Sequence, residues 1–194
     1  NKNSTLNDEA YTQLSIVVED RIFIKIEINN LKKEKNQNMK TIIVESLDKH
    51  KKTEILAEME NQKNSIGSKK EVSIEFESAN GNYDFSLQIA ENAIRNKIKI
   101  NAEGRGALDA SAAIILALAK QTGGRSAAFY TSKFQLFEAI GNEEKKSQLK
   151  NIEAKNNNII IGLKSLRCNA KYLDGILNSG EIISADQEKK SGII

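Results

Sequence analysis

The segment 107–120 constrains this chain more than any other, because it forms a predicted helix that is apolar on every side. Between Gly106 and Lys120 the only charged residue is Asp109, and the other side chains are Ala, Leu and Ile with one Ser. A helix without a polar face must be covered on more than one side. Two arrangements provide that cover. Either the helix is the centre of a larger single domain, or a partner subunit or the N-terminal extension packs on its outer face.

Strand and helix signals surround this segment and predict an α/β domain. Val72, Ile74 and Phe76 alternate with polar residues, as in a half-buried strand. Asn82 or Asp84 can cap the helix that follows. The predicted order is strand, helix, strand, helix, strand, long hairpin and strand, at 71–77, 84–95, 97–102, 107–120, 127–140, 141–158 and 159–163.

The segments on either side of this domain are predicted to be additions to it. Alternation of Ile22 to Ile28 with polar residues predicts a strand, and 47–61 has helical spacing. We therefore divide the chain into an N-terminal strand-and-helix extension (1–70), a central domain (71–166) and a C-terminal tail (167–194).

The composition restricts the function classes. The 29 Lys and Arg residues nearly balance 26 Asp and Glu, which gives a net charge of +3, and there is one Cys. A single Cys forms no internal disulfide, which favours a reducing intracellular compartment, the cytoplasm or the nucleus. No apolar run approaches the ~18 residues of a membrane span, so no membrane partner is expected. The Cys, His and acidic residues show no metal-ligand spacing, so neither a metal nor a cofactor is expected.

Catalytic signals are weak. His50, the only histidine, stands among lysines and an aspartate and is predicted to lie on the surface. Arg167 beside Cys168 can depress a thiol pKa, but no second histidine is available for a Cys–His pair. The sequence therefore predicts a protein that is not an enzyme, with no catalytic residues.

The turn Gly104-Arg105-Gly106 stands between a predicted strand and the apolar helix. Glycines allow a tight turn, and a helix N-terminus offers unpaired N–H donors with partial positive charge. Arg105 adds a full charge, so the turn is a candidate phosphate site. The alternative is a glycine-mediated turn with an arginine in solvent.

The predicted hairpin is locally basic, since Lys145, Lys146 and Lys150 stand near its tip. A basic loop between two strands can follow a phosphate backbone. The alternative is an ordinary solvated loop. Phe129 and Tyr130 precede it on a predicted strand, where we favour packing over base stacking.

The central segment resembles the Alba superfamily of nucleic-acid-binding proteins. The resemblance is carried by "IKINAEGRGALDASAAIILALAK", a strand, a glycine-and-basic turn and an Ala-rich helix. It continues in "EVSIEFES", "YDFSLQIAENAIR", "AAFYTSKFQLFEAI" and "NNNIIIGLK" as the remaining elements. The resemblance implies a two-layer β-α-β-α-β-β sandwich over about 71–166.

The Alba resemblance also implies a function. Members of that family dimerise and bind double-stranded DNA or RNA without catalysis. We therefore expect a dimer or heterodimer with a second Alba-like subunit or another protein of a larger assembly, which reads phosphates and duplex shape. The nucleic-acid contacts implied by the resemblance are Lys97, Lys99, Gly104, Arg105, Gly106, Lys145, Lys146 and Lys150.

Departures from the Alba pattern leave a second reading open. The turn 79–82 is neutral where the family often has lysines, and Glu103 and Asp109 stand near positions that are often basic. Acidic groups beside phosphates weaken binding. The alternative is therefore a structural scaffold subunit that uses the same fold for protein–protein contacts in a large assembly.

Overall fold

A four-stranded parallel sheet forms the centre of the structure. The computed structural model describes residues 40–64, 70–141, 145–177 and 179–194 of the 194-residue chain. The strand order is β1-β2-β3-β5, and each neighbouring pair is parallel. The strands are β1 (Thr41–Leu47), β2 (Glu71–Gly81), β3 (Lys99–Arg105) and β5 (Ser126–Ala128).

Three helices connect these strands, as parallel pairing requires. They are α1 (Lys49–Asn64), α2 (Tyr83–Asn96) and α3 (Ala110–Gln121). Asn82 is the N-cap of α2, and its side chain accepts a hydrogen bond from the N–H of Asp84. Of the two residues predicted as possible caps, Asn82 is the N-cap, and Asp84 lies in the first turn of the helix.

A second, three-stranded sheet and three more helices complete the described chain. In this sheet β4 and β6 are parallel, and β6 and β7 are antiparallel. The elements are β4 (Ala107–Asp109), β6 (Lys133–Gln135), β7 (Ile182–Ser184), α4 (Lys146–Ser165), α5 (Ala170–Ile176) and α6 (Ala185–Ser191).

Helix α3 lies at the centre of the core. Every residue from Ala110 to Ala119 is buried within the chain itself. Its cover comes from β2, β3, α2 and α4. The structure therefore follows the first of the two arrangements considered for this segment, and no partner subunit is needed to cover the helix.

The predicted strand, long hairpin and strand over 127–163 are wrong. The segment 127–140 contains only the end of β5 and the three-residue strand β6, and 159–163 lies inside the 20-residue helix α4. Asn156, Ile159, Ile160 and Leu163 are buried at helical spacing. A short run of isoleucines is equally apolar in a buried strand and in a buried helix, so periodicity does not separate them.

The chain is an α/β protein with a mostly parallel sheet, but not a two-layer β-α-β-α-β-β sandwich. Strand β1 and helix α1, from the segment predicted as an extension, belong to the same sheet and core as the rest. Residues Lys40–Ile194 form one compact unit. The division at 1–70, 71–166 and 167–194 stays a prediction, and the strand predicted at 22–28 lies outside the described residues.

Candidate functional site

Two adjoining cavities form a cleft at the carboxyl end of β2 and the start of α3. They share Asp109 and Gln135, so we call them together the Asp109 cleft. Their volumes are about 180 and 260 Å³. The first is lined by Gly81, Tyr83, Asp109, Ala110, Gln135, Leu136, Phe137, Glu138, Lys155 and Ile159. The second is lined by Ser78, Ala79, Asn80, Ala107, Leu108, Asp109, Lys133, Gln135 and Ile182.

Asp109 holds the cleft together, because its carboxylate binds two elements at once. Its Oδ1 accepts hydrogen bonds from the N–H and the hydroxyl of Ser111, at 2.9 and 2.5 Å, as the N-cap of α3. Its Oδ2 accepts a hydrogen bond of 2.8 Å from the backbone N–H of Gly81. The last residue of β2 and the first turn of α3 are therefore fixed relative to each other.

An irregular end of β2 shapes the second cavity. The register of β2 against β1 shifts between Val44 and Ser46, so that β2 carries extra residues there. Ser78 lies in this bulge with a positive φ of 47°, which is unusual for a residue with a side chain. Gly106 has a positive φ of 75°, which favours glycine, and a Cβ there would stand 2.3 Å from the Ser78 Oγ.

The cleft has an apolar floor and a polar rim. Leu136, Phe137 and Ile159 are buried beneath it. Glu138 and Lys155 form an ion pair on its rim. The arrangement offers apolar surface together with hydrogen-bonding groups, the combination that a ligand site for a mixed polar and apolar molecule requires.

The Arg105 side chain contacts other residues of the same chain. Its Nε lies 2.9 Å from Oε1 of Glu75, and its guanidinium carbon lies 4.1 Å from the centroid of the Phe129 ring. The exposed arginine of the glycine turn therefore pairs with an acidic and an aromatic neighbour within the chain.

The other residues predicted to contact nucleic acid are spread over several elements. Lys97 ends α2 in a left-handed conformation, and Lys99 pairs with Glu71 at 3.0 Å. Lys99 and Arg105 occupy opposite ends of β3, about 20 Å apart at ~3.3 Å per residue. Gly104 is buried in the same strand, and Gly106 follows it in the turn. The structure therefore does not bring Lys97 and Lys99 together with the glycine turn.

The predicted hairpin tip is the beginning of a helix. Lys145 is the N-cap residue of α4, and Lys146 and Lys150 are exposed on its first turns. The contacts assigned to these lysines stay a prediction.

Neither His50 nor Cys168 lines the Asp109 cleft. His50 is exposed on α1, as predicted, beside Asp48 and Thr53. Cys168 is buried, and burial raises the pKa of its thiol to about 12. The neighbouring Arg167 therefore does not activate it.

The described residues contain neither a metal-binding cluster nor a membrane-spanning helix. In that part of the chain no three His, Cys, Asp or Glu side chains are placed to hold a metal ion. Among the same residues, no helix combines the length and the apolar character needed to cross a bilayer.

Sequence reasoning missed Asp109 as the residue that organises the site. Asp followed two residues later by Ser at the start of an Ala-rich run is an N-cap signal, and it was available in the sequence. The Gly81 contact, by contrast, joins residues 28 positions apart. No local pattern marks it.

Comparisons with known proteins place this geometry in a known fold. No family model and no curated protein matches the sequence. Among solved structures, the ClpP protease catalytic domain from Plasmodium falciparum is 16% identical with a TM-score of 0.60, over 79% of this chain and 82% of that one. ClpP1 from Listeria monocytogenes is 12% identical with a TM-score of 0.59, over 84% and 92%.

These likenesses correct the expectations drawn from the Alba resemblance. A further similar structure, described as a peptidase from Plasmodium falciparum, is 14% identical with a TM-score of 0.60, over 79% of this chain and 92% of that one. The Alba assignment is therefore wrong. The non-catalytic DNA- or RNA-binding function, the ribonucleoprotein role and the scaffold alternative are wrong with it, because they rested on that fold. The prediction of a protein that is not an enzyme is also wrong, since the similar structures are described as a protease catalytic domain and a peptidase. The described chain has the α/β fold found in ClpP protease domains.

Proposed function

We propose that this chain is a peptidase-like protein whose substrate class is the extended polypeptide, bound in the Asp109 cleft. The observation that carries the proposal is the position of the cleft. It lies outside the carboxyl end of β2 and at the start of α3, in a fold shared with structures described as proteases and peptidases. Ligands of open α/β sheets bind at the carboxyl ends of the strands.

The chemistry of the lining supports a peptide over a compact polar metabolite. A peptide presents apolar side chains and backbone amides in alternation. The floor formed by Leu136, Phe137 and Ile159 can contact the apolar side chains of such a peptide. Gln135, exposed between the two cavities, offers an amide that both donates and accepts hydrogen bonds. Two adjoining cavities also suit an elongated ligand.

Direct binding tests the proposal. A fluorescein-labelled, unstructured peptide of about ten residues with alternating apolar positions is the probe. We expect saturable binding by fluorescence anisotropy and its loss in Gln135→Trp, which fills the junction of the cavities. Gln88→Trp, on the exposed face of α2, is the matched control and should bind like the wild type. Equal binding by both variants would exclude the cleft.

Cleavage is measured on the same samples with a quenched fluorogenic peptide. Hydrolysis by a serine peptidase needs a hydroxyl nucleophile at the bound carbonyl. Ser78 is the serine among the residues that line the cleft. We expect turnover to be lost in Ser78→Ala while peptide binding persists, and to be retained in Ser147→Ala on the exposed first turn of α4. Turnover that survives in Ser78→Ala would remove this serine from the reaction.

Self-association is the remaining partner proposal. The support is the ClpP-like fold of the chain, and single exposed isoleucines such as Ile43, Ile94 and Ile161 (49%, 50% and 62% exposed) are available for contacts with a second copy. Sedimentation equilibrium of the peptide-binding samples measures the oligomeric state. A chain that stays monomeric at all concentrations would contradict the proposed self-association.

A further inference from the structure

Glu188 is a buried carboxyl group without a hydrogen-bond partner. It lies in the middle of α6, and the residue is completely inaccessible to solvent. Both carboxyl oxygens are buried and neither accepts or donates a hydrogen bond. A carboxylate in such a place loses its hydration and gains nothing in return, so the neutral acid is strongly favoured.

Within the part of the chain that the structure describes, no cation pairs with this carboxyl group. On the elements packed against α6 the charged groups are Lys133, Lys171 and Asp174, and α6 itself carries Asp186, Lys189 and Lys190. Lys120 of α3 donates a hydrogen bond to the carbonyl of Ile194, beyond the end of α6. None of them reaches an oxygen of Glu188. Burial raises the pKa of Glu188 to about 8. Cys168 and Tyr172 are close enough to sense its charge. The pKa of each is raised, first by burial and second by the charge of Glu188.

Helix α6 covers the only cysteine of the chain. The Cys168 thiol lies 3.9 Å from the carbonyl oxygen of Gly192, just after α6. The neighbouring N–H of Asn169 donates a 2.7 Å hydrogen bond to the carbonyl of Ser191. Cys168 is only 7% exposed in this arrangement. Separation of α6 from the core would therefore uncover the thiol.

The same segment reaches the Asp109 cleft. Strand β7 leads directly into α6 and pairs with β6, and Ile182 of β7 lines the second cavity. Residues 182–194, which we call the C-terminal latch, thus join the buried Glu188 to one wall of the cleft.

We propose that the C-terminal latch docks most tightly on the rest of the chain while the Glu188 carboxyl carries a proton, and that a rise in pH favours its opening and uncovers Cys168. When the latch opens, Glu188 reaches water and gives up its proton to the solvent. Each opening event therefore releases one proton. The opening equilibrium should rise by up to about tenfold per pH unit between about pH 4.5 and 8, and level off above.

The single cysteine is a built-in reporter of this opening. The full chain is treated with 4,4′-dithiodipyridine at several pH values, and its labelling rate is divided by that of the urea-unfolded chain at the same pH. This ratio removes the intrinsic pH dependence of the thiol. We expect the ratio to climb toward tenfold per pH unit in the wild type from about pH 5.5 to 8.

The Glu188→Gln variant distinguishes opening of the latch driven by ionisation of Glu188 from a general loss of stability. Glutamine has the shape of the protonated acid and cannot ionise. We expect this variant to stay protected with a flat ratio. Asp186→Asn, an exposed acid on the same helix, should keep the wild-type slope. A flat ratio in the wild type, or an unchanged slope in Glu188→Gln, would overturn the proposal.

Hydrogen exchange of the wild type provides a second measurement that needs no variant. Amides of α6 should lose protection as the pH rises, after correction for intrinsic exchange, while amides of β2 keep theirs. Equal loss in both elements would mean global unfolding and would also overturn the proposal. Peptide binding plays no part in either readout, so the latch and the proposed function fail independently.

Discussion

The backbone N–H of Gly81 donates a 2.8 Å hydrogen bond to Oδ2 of Asp109, 28 residues later in the chain. The same carboxylate caps α3 through Ser111 and Ala112. One side chain thus joins the end of a strand of the main sheet to the start of the central helix. The opening between them is the Asp109 cleft, so the contact determines the geometry of the proposed peptide site.

Removal of this carboxylate should destabilise the chain. We expect Asp109→Ala to lower the free energy of unfolding by about 1–2 kcal/mol, because the helix cap and the Gly81 hydrogen bond are both lost. Asp109→Asn should cost about half as much, since asparagine remains a good N-cap. Urea denaturation measures both. Asp84→Ala, on the exposed first turn of α2, is the control, and an Asp109→Ala variant as stable as this control would contradict the expectation.

Two glycines should respond to alanine in opposite directions. A Cβ on Gly124 would stand 1.7 Å from the carbonyl oxygen of Ile100, which is backbone and cannot move aside. Gly124→Ala should therefore cost at least about 2 kcal/mol. Gly175 lies in α5 with no atom within 4 Å of a new Cβ. Gly175→Ala should stabilise the chain by about 0.5–1 kcal/mol. Thermal denaturation of the pair tests both signs, and a shift in the same direction would contradict the packing described.

Arg105 should matter for stability through its contacts within the chain. Its guanidinium lies over the Phe129 ring and beside Glu75. A double-mutant cycle with Arg105→Ala and Phe129→Leu should show a coupling of about 0.5–1 kcal/mol. The Arg105→Met variant keeps the aliphatic stem and should lose the same coupling, which separates charge from packing. Additive effects of the two substitutions would show that the contact contributes nothing.

Global stability should fall as the pH rises from acid to mildly alkaline values, apart from the effects of other groups. The folded-state pKa of Glu188, about 8, lies above its ordinary value of 4.5, so the folded chain holds a proton that the unfolded chain releases in this window. The slope contributed by Glu188 is at most about 1.4 kcal/mol per pH unit, and it ends near pH 8. Glu188→Gln should show a smaller decline across the same window by urea denaturation. Parallel curves for the two proteins would contradict the assignment.

The apolar helix and the strands before it were predictable because their signals are local. Alternation at Val72, Ile74 and Phe76 appears as β2, and the residues from Ala110 to Ala119 are as buried as their composition demands. The isoleucines at 159–161 failed as a predicted strand, because a short apolar run satisfies either structure. Only the packing of α4 decides between them.

The residues of the candidate site were harder to predict, for a physical reason. The sequence indicates Lys145, Lys146 and Arg105 as candidates because they are basic. A basic side chain can occupy almost any exposed position at little free-energy cost, so its charge alone says little about a site. Asp109 and Glu188 matter because of what surrounds them. The pairing of Asp109 with Gly81 and the complete burial of Glu188 depend on elements that are distant in the chain.

The sequence alone predicts the α/β class, the apolar central helix and the positions of its neighbouring strands. These features are predictable because periodicity and capping act within a few residues. The ClpP-like arrangement, the Asp109 cleft and the covered Glu188 were decided by tertiary structure alone. Each of them arises where segments far apart in the chain pack together. Local sequence patterns do not determine the free energy of that packing.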